Sequence, residues 1–409
     1  MTSGPDLIAL GRTHIENAHE LILVGALLGL LSIFAGLASR RFGAPVLLVF
    51  LVLGMLAGED GPGGIAFDDF YLAYLIGNVA LAIILFEGGL KTHLSMLRLA
   101  FWPALVLAVI GVGITACVVA VDVVLRADVP FAAAMLVGAA VAPTDASAVN
   151  TLLRRARLAL PERVTALLEV ESGLNDPMSI FLTILLIRVL IEPGWATPAN
   201  AAWLFVRDMA GGAVLGLAGG AALGFLLRRL VMEPAIAMVL VVAFGLAVFG
   251  LAQMLDTSGF LAIYIAGLMT GATEHRAHRE VEYFCEGLAW LAQIVLFLML
   301  GMLVTPHDLI PYITAGMFAA AVLIVIARPL AVFACLLPFG FSLRESAFAS
   351  WVGLRGAVPI YISIIPALAD PQRDSRLFAV VFVMVVVSLV VQGWTIGPAA
   401  RLLGYGRKD

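Results

Sequence analysis

The chain reads as thirteen apolar runs separated by short polar connections. The runs fall at 21–39, 44–57, 71–88, 99–125, 130–153, 164–191, 209–227, 235–255, 258–273, 283–304, 310–337, 346–368 and 377–403. Most approach or exceed the roughly 20 residues a helix needs to cross a hydrocarbon layer. None alternates over about ten residues as a membrane β-strand would. The pattern predicts an all-α polytopic membrane protein of about 13 transmembrane helices. A single domain, 1–409, is expected, with a first half at about 21–191, a second half at about 235–403 and no soluble domain. The run at 209–227 joins the halves, and Gly212, Gly216, Gly220 and Gly224 at steps of four mark it as a packing helix.

Composition reinforces the pattern. Hydrophobic residues make up 62% of the chain and charged ones 13%, and mean hydropathy is +1.06. Soluble domains hold about 45–50% apolar and about 25% charged residues, so the bilayer is the expected solvent. A net charge of −4 gives no reason to expect a nucleic-acid partner. Cys117, Cys285 and Cys335 are far apart inside apolar runs, which suits buried hydrophobes rather than metal ligands or disulfides. The first run follows the acidic Glu16 and Glu20 and lacks a small-residue cleavage site, so it reads as a span and not as a leader.

Lysines and arginines divide unequally between alternate connections. One set, with the C-terminus, holds Arg40, Arg41, Lys91, Arg98, Arg154, Arg155, Arg157, Arg163, Arg228, Arg229, Arg276, Arg279, Arg344, Arg401, Arg407 and Lys408. The other, with the N-terminus, holds Arg12, Arg126, Arg207, Arg373 and Arg376. The positive-inside rule then places the N-terminus outside and the C-terminus in the cytoplasm.

Ionisable residues at membrane depth are costly and face cavities or one another. The sixth run carries Glu171, Ser172, Asn175 and Asp176-Pro177, with Glu171 and Asn175 on one helical face. Asp176 falls near mid-membrane, and Pro177 removes an N–H and so frees a carbonyl close by. Such oxygens suit a dehydrated cation, and a carboxylate that also takes a proton makes the two competitors. The fifth run is interrupted at Pro143-Thr144-Asp145. The twelfth is weakened at Gly353, Gly356 and Pro359 around Arg355, and the eleventh holds Arg328-Pro329. Broken backbone at this depth belongs where it is buried in protein or lines a cavity. The fifth and twelfth runs occupy corresponding places in two oppositely directed halves, the arrangement of inverted-repeat transporters. Arg328 and Arg355 lie at similar depth to Glu171, and either could pair with it. Weaker candidates are Glu87 and Glu286 near helix ends, Gln293 and Asn78 as interhelical hydrogen-bond donors, and His275 and His278 flanking a solvated loop.

These segments resemble the cation/proton antiporter superfamily, in its NhaP branch. The resemblance rests on Glu171-Ser172 with Asn175-Asp176-Pro177, on Pro143-Thr144-Asp145 and on Gly353-Leu354-Arg355-Gly356. The wording of Gly58-Glu59-Asp60-Gly61-Pro62-Gly63-Gly64 looks closest to bacterial potassium/proton antiporters of the CvrA type. The resemblance implies inverted repeats with two broken crossing helices, a homodimer in lipid of the bacterial inner membrane, and elevator-like alternating access. It implies exchange of K⁺, or alternatively Na⁺ or Li⁺, for H⁺ without a cofactor or catalytic chemistry. Asp176, Asn175, Thr144, Asp145 and Ser172 would form the ion- and proton-binding set, with Asp176 binding cation and proton, Thr144 and Ser172 adding ion ligands, and Asp145 at the crossing. Asn175, where an electrogenic branch has aspartate, implies one-for-one exchange. By analogy Glu171 would pair with Arg328 in preference to Arg355. CvrA-type relatives carry a long tail after the last helix, whereas this sequence stops at Asp409. A cation channel would need repeated filter elements and an intramembrane hydrolase a nucleophile or metal site at depth. Neither pattern is visible.

Overall fold

The computed structural model describes residues 19, 22–39, 45–156, 158, 160–369 and 376–406. Glu16, Glu20, Arg12, Arg40, Arg41, Arg157, Arg373, Arg407 and Lys408, used above, lie outside the described residues. Among the described residues, every regular element is a helix apart from an isolated β-bridge between Gly58 and Ile65. Ten helices are long and apolar enough to span a membrane, and three shorter apolar ones accompany them.

Numbered in chain order, with the broken runs given as separate pieces, the helices begin with α1 (Ile22–Ser39), α2 (Val46–Ala57), α3 (Phe70–Lys91) and α4 (Leu94–Arg126). Then come α5 (Phe131–Val141) and α6 (Ala146–Arg155), the two pieces of the fifth run, followed by α7 (Glu162–Ile191) and α8 (Pro198–Arg229). The second half holds α9 (Pro234–Met254), α10 (Gly259–Gly271), α11 (His278–Met302) and α12 (Pro306–Phe339). The twelfth run is likewise divided, into α13 (Leu343–Trp351) and α14 (Ala357–Ala369), before α15 (Arg376–Leu402).

One boundary differs markedly from the hydropathy reading. α8 begins eleven residues before its apolar run, so Arg207, placed above in a connection, lies inside a helix. Thr197 caps it by accepting the N–H of Asn200 at 3.2 Å, and Pro198 suits the first turn, where its missing N–H has no partner to lose. The polar Arg207-Asp208 pair hid this stretch from an apolar window. Arg207 meets Asp256 at 3.7 Å, and the Asp208 carbonyl accepts the Ser258 N–H at 3.0 Å.

The helices sort into two bundles. In one, α10 packs on α3 and α8 while α11 packs on α2 and α3; in the other, α4 packs on α5 and α7, and α12 on α13 and α15. Contacts between bundles are sparser and run through α3–α14, α7–α10 and α11–α14. The glycine stripe of α8 explains part of the first bundle. A Cβ on Gly212 would come within 2.6 Å of the Ser258 carbonyl, so α10 lies against bare backbone. α4 and α12 each contain a π-helical turn, at Leu107–Gly111 and Leu323–Ala327 respectively, and each turn packs on the other helix. Such turns re-aim a helix locally and are common at functional sites.

Candidate ion-binding site

The two interrupted runs meet at their breaks. The Asp145 N–H donates to the Leu354 carbonyl at 2.8 Å, and Arg355 Nε donates to the Val141 carbonyl at 2.7 Å. Each break leaves helix ends with partial charges and unpaired backbone groups, and two side chains offset them. Asp145 Oδ1 caps α6 by accepting the Ala148 N–H at 3.0 Å and the Ser147 hydroxyl at 2.7 Å. Its Oδ2 faces Gly356 at the start of α14, where a Cβ would sit 2.7 Å away. One carboxylate thus serves the positive ends of two half-helices. Arg355 serves the negative ends, binding Val141 of α5 and the Gly353 carbonyl just past α13. Its backbone N–H donates to Ser388 Oγ at 3.1 Å. Ser388 in turn donates to Gln392 Oε1 at 2.6 Å, and Gln392 Nε2 donates to the Trp351 carbonyl at 2.7 Å. This chain fixes the second break to α15.

α7 runs beside the crossing. Ser172 Oγ donates to the Thr144 carbonyl at 2.9 Å and accepts the Ala146 N–H at 3.2 Å; Asn175 Nδ2 donates to Thr144 Oγ1 at 2.8 Å. Both side chains therefore hold the first break against α7. Asn175 is fully buried behind Thr144 and does not line the cavity described below. Glu171 meets Arg328 through two hydrogen bonds, 2.6 Å from Nη1 to Oε1 and 2.8 Å from Nη2 to Oε2, with both side chains buried. Arg355 is directed to the breaks instead.

A cavity of about 540 Å³ lies along the seam between the bundles. Thr144, Asp145, Ser172 and Asp176 line its inner part, and Lys91, His93 and Arg154 line its solvent-exposed rim. Asp176 is 6% exposed, and its Oδ1 has no hydrogen-bond partner among the described residues. Pro177 in the helix leaves the carbonyl of Gly173, four residues back, without its usual N–H. Gly173 also lines the cavity. The unpartnered Asp176 Oδ1 thus belongs to a cavity whose inner lining also includes Gly173, Thr144 and Ser172. No group of three or more His, Cys, Asp or Glu able to hold a metal ion occurs among the described residues.

Other candidates find different places. Glu87 and Glu286 line the cavity and share Lys91, at 2.6 and 3.3 Å, and Gln293 lines it nearby. Asn78 is a correction. Its Nδ2 donates to the Tyr74 carbonyl at 3.0 Å, four residues back within its own helix. His275 and His278 meet edge-on at 5.3 Å away from the cavity. Glu169 and Tyr264 are among the cavity residues that the sequence reading did not single out. Glu169 was legible as a carboxylate seven residues before Asp176, two turns along one helical face, whereas nothing local in the sequence marks Tyr264.

The site and fold define a polytopic ion-transport domain, and the chain belongs to the sodium/hydrogen exchanger family, whose transmembrane model matches residues 26–402. Among its relatives is the K(+)/H(+) antiporter NhaP2 of Shewanella oneidensis, 43% identical over 389 residues, which cover 95% of this chain and 67% of that one. The K(+)/H(+) antiporter NhaP of Alkalimonas amylolytica is 43% identical, covering 95% and 68%. The fold is that of the sodium proton antiporter MjNhaP1 from Methanocaldococcus jannaschii, with a TM-score of 0.80 at 23% identity over 94% of this chain and 100% of that one.

Proposed function

We propose that this chain exchanges a monovalent cation, K⁺ in preference to Na⁺, for a proton, one for one, with Asp176 as the carrier carboxylate. The observation that carries the proposal is Asp176 itself, buried at the inner end of the cavity with an unpartnered oxygen beside the crossed breaks. The preference for K⁺ follows the antiporters named above at 43% identity.

The charges around Asp176 support one-for-one exchange. Glu171 and Arg328 offset each other as a buried ion pair, while Asp145 and Arg355 are engaged with the helix ends at the crossing. Asp176 forms no ion pair among the described residues, and its Oδ1 accepts no hydrogen bond. A proton removes the charge of Asp176 and a cation balances it, so either loaded form can move through a low-dielectric barrier, whereas the bare carboxylate pays the full burial cost. Because the cavity opens at the rim holding Lys91 and Arg154, the positive-inside orientation makes this the cytoplasm-facing form. The sparse contact between bundles suits an elevator movement of the α4–α7 and α12–α15 bundle against the other. The matched π turns and matched breaks suit thirteen spans in two inverted repeats. A homodimer in the bacterial inner membrane completes the reading.

The test is proton efflux from acid-loaded proteoliposomes on addition of K⁺, Na⁺ or Li⁺. Efflux with K⁺ that is lost in Asp176→Asn, while the variant keeps its folded state by size-exclusion chromatography, is the expected result. Efflux with only Na⁺ and Li⁺ would overturn the preference and keep the mechanism; full exchange by Asp176→Asn would overturn the mechanism.

A further inference from the structure

We propose that Glu169, with Asn150 and the Tyr264 hydroxyl, forms a second monovalent-cation station between the cavity mouth and Asp176. The inference rests on the exchange reading above and deepens it.

Glu169, Gly173 and Asp176 succeed one another on one face of α7, and all three line the cavity. A rise of 1.5 Å per residue puts Glu169 about 10 Å from Asp176 along the axis, on the side of the rim. The other carboxylates of the cavity are engaged or further out. Glu87 and Glu286 hold Lys91, Asp145 caps α6, and Glu282 lies one turn nearer the start of α11. Glu169 forms no ion pair among the described residues, and its Oε1 accepts a single hydrogen bond, from Asn150 Nδ2 at 2.9 Å. It is a half-buried carboxylate without a counter-charge in contact, and Asn150 fixes its orientation.

Tyr264 supplies the independent observation. It is 3% exposed, lines the same cavity, and its hydroxyl has no hydrogen-bond partner among the described residues. The Thr92 hydroxyl lies beside it and donates to the Gly88 carbonyl at 2.7 Å. The Tyr264 hydroxyl lies over Gly173, where a Cβ would be 2.7 Å from it, one turn from Glu169. A buried polar atom normally has a partner. A partly dehydrated cation held between this hydroxyl oxygen and the Glu169 carboxylate supplies one. Tyr264 belongs to the opposite bundle from Glu169, so the station is assembled only when α10 lies against α7 as here.

Two measurements test the station. In proteoliposomes, Glu169→Gln raises the KM for K⁺ at the cavity side about tenfold, the scale of one lost charge-assisted contact, with kcat at saturating K⁺ retained. Glu169→Asp recovers part of the difference, and Tyr264→Phe raises KM less. An unchanged KM, or a fall in kcat alone, overturns the proposal. The second measurement needs no transport: Tl⁺ binding to purified Asp176→Asn in detergent. Residual binding that disappears in Asp176→Asn/Glu169→Gln supports the station, and absence of binding in Asp176→Asn overturns it. Wild-type protein that fails to exchange any cation would overturn the exchange reading alone, because the Tl⁺ result still decides whether Glu169 binds.

Discussion

The Glu171–Arg328 pair offers the sharpest energetic test. Both side chains are almost fully buried and share two hydrogen bonds of 2.6 and 2.8 Å. Removing one partner strands a charge that water cannot reach, a loss of about 3–5 kcal/mol, whereas replacing both by apolar residues of similar volume is close to neutral. Glu171→Leu and Arg328→Met should therefore each destabilise strongly, and the double variant should recover most of the loss. The two single variants should also differ. Gly353 lies between the guanidiniums, where a Cβ would be 2.8 Å from Arg355 Nη1 and 2.9 Å from Arg328 Nε. Losing Glu171 leaves those two cations adjacent, so Glu171→Leu is the more damaging change. A stranded carboxylate can neutralise itself by binding a proton, but a guanidinium cannot. Acid should then partly rescue Arg328→Met and leave Glu171→Leu unrelieved. The assay is thermal unfolding of the detergent-purified protein from pH 5 to 8, read as a double-mutant cycle. Additive single effects, with coupling below about 0.5 kcal/mol, would refute the assignment of the pair as a buried, mutually dependent unit.

Two further outcomes follow from the same geometry. Asn175→Asp would lose the donor to Thr144 Oγ1 and place a second carboxylate where it cannot reach the cavity. It should abolish exchange and lower stability; voltage-sensitive exchange by a stable Asn175→Asp protein, measured with a valinomycin-imposed potential, would contradict this. On the opposite side from the cavity, the Asp60 carboxylate accepts the backbone N–H of His307 at 2.9 Å and contacts its ring nitrogen at 2.7 Å. The backbone bond above all holds this carboxyl below its ordinary range. A depressed carboxylate contributes above its unfolded pKa of about 3.9 and is lost as pH falls through the folded value. Hydrogen-exchange protection of the 58–69 segment should thus be greatest between about pH 5 and 6.5. It should fall below about pH 4 as Asp60 takes a proton, weaken at higher pH as His307, raised by the same carboxylate, loses its proton, and be weak at every pH in Asp60→Asn. Equal protection in that variant would refute the link.

What the sequence disclosed and what it hid have different physical sources. Helices, breaks and buried charges are legible because each violates or satisfies a rule local to a few residues. Proline inside a helix removes a hydrogen bond and glycine loosens the backbone, and Glu171 or Arg355 is conspicuous in any apolar stretch. The extent of α8 was hidden because Arg207 and Asp208 look like connection residues until Asp256 and the Ser258 N–H are found beside them. Asn78 misled for the opposite reason, since its donor is satisfied inside its own turn. Tyr264 could not be found at all from the chain: its place over Gly173 depends on how two bundles meet, a long-range packing result that no local pattern records.

The same distinction explains why the crossing uses one acidic and one basic residue. An unbroken helix at mid-membrane satisfies its own backbone and presents no dipole end. Breaking two helices at one point creates two positive and two negative ends in a medium that cannot screen them. Asp145 is shared between the starts of α6 and α14, and Arg355 between the Val141 and Gly353 carbonyls, so the broken backbone is compensated without drawing on Asp176. Were Asp176 also needed to cap a half-helix, its charge would be balanced before any ion arrived, and neither proton nor cation would gain much by binding. On the proposed reading Asp176 stays free for an ion because the crossing is bonded without it: its Oδ1 has no hydrogen-bond partner among the described residues, whereas Asp145 Oδ1 accepts two hydrogen bonds.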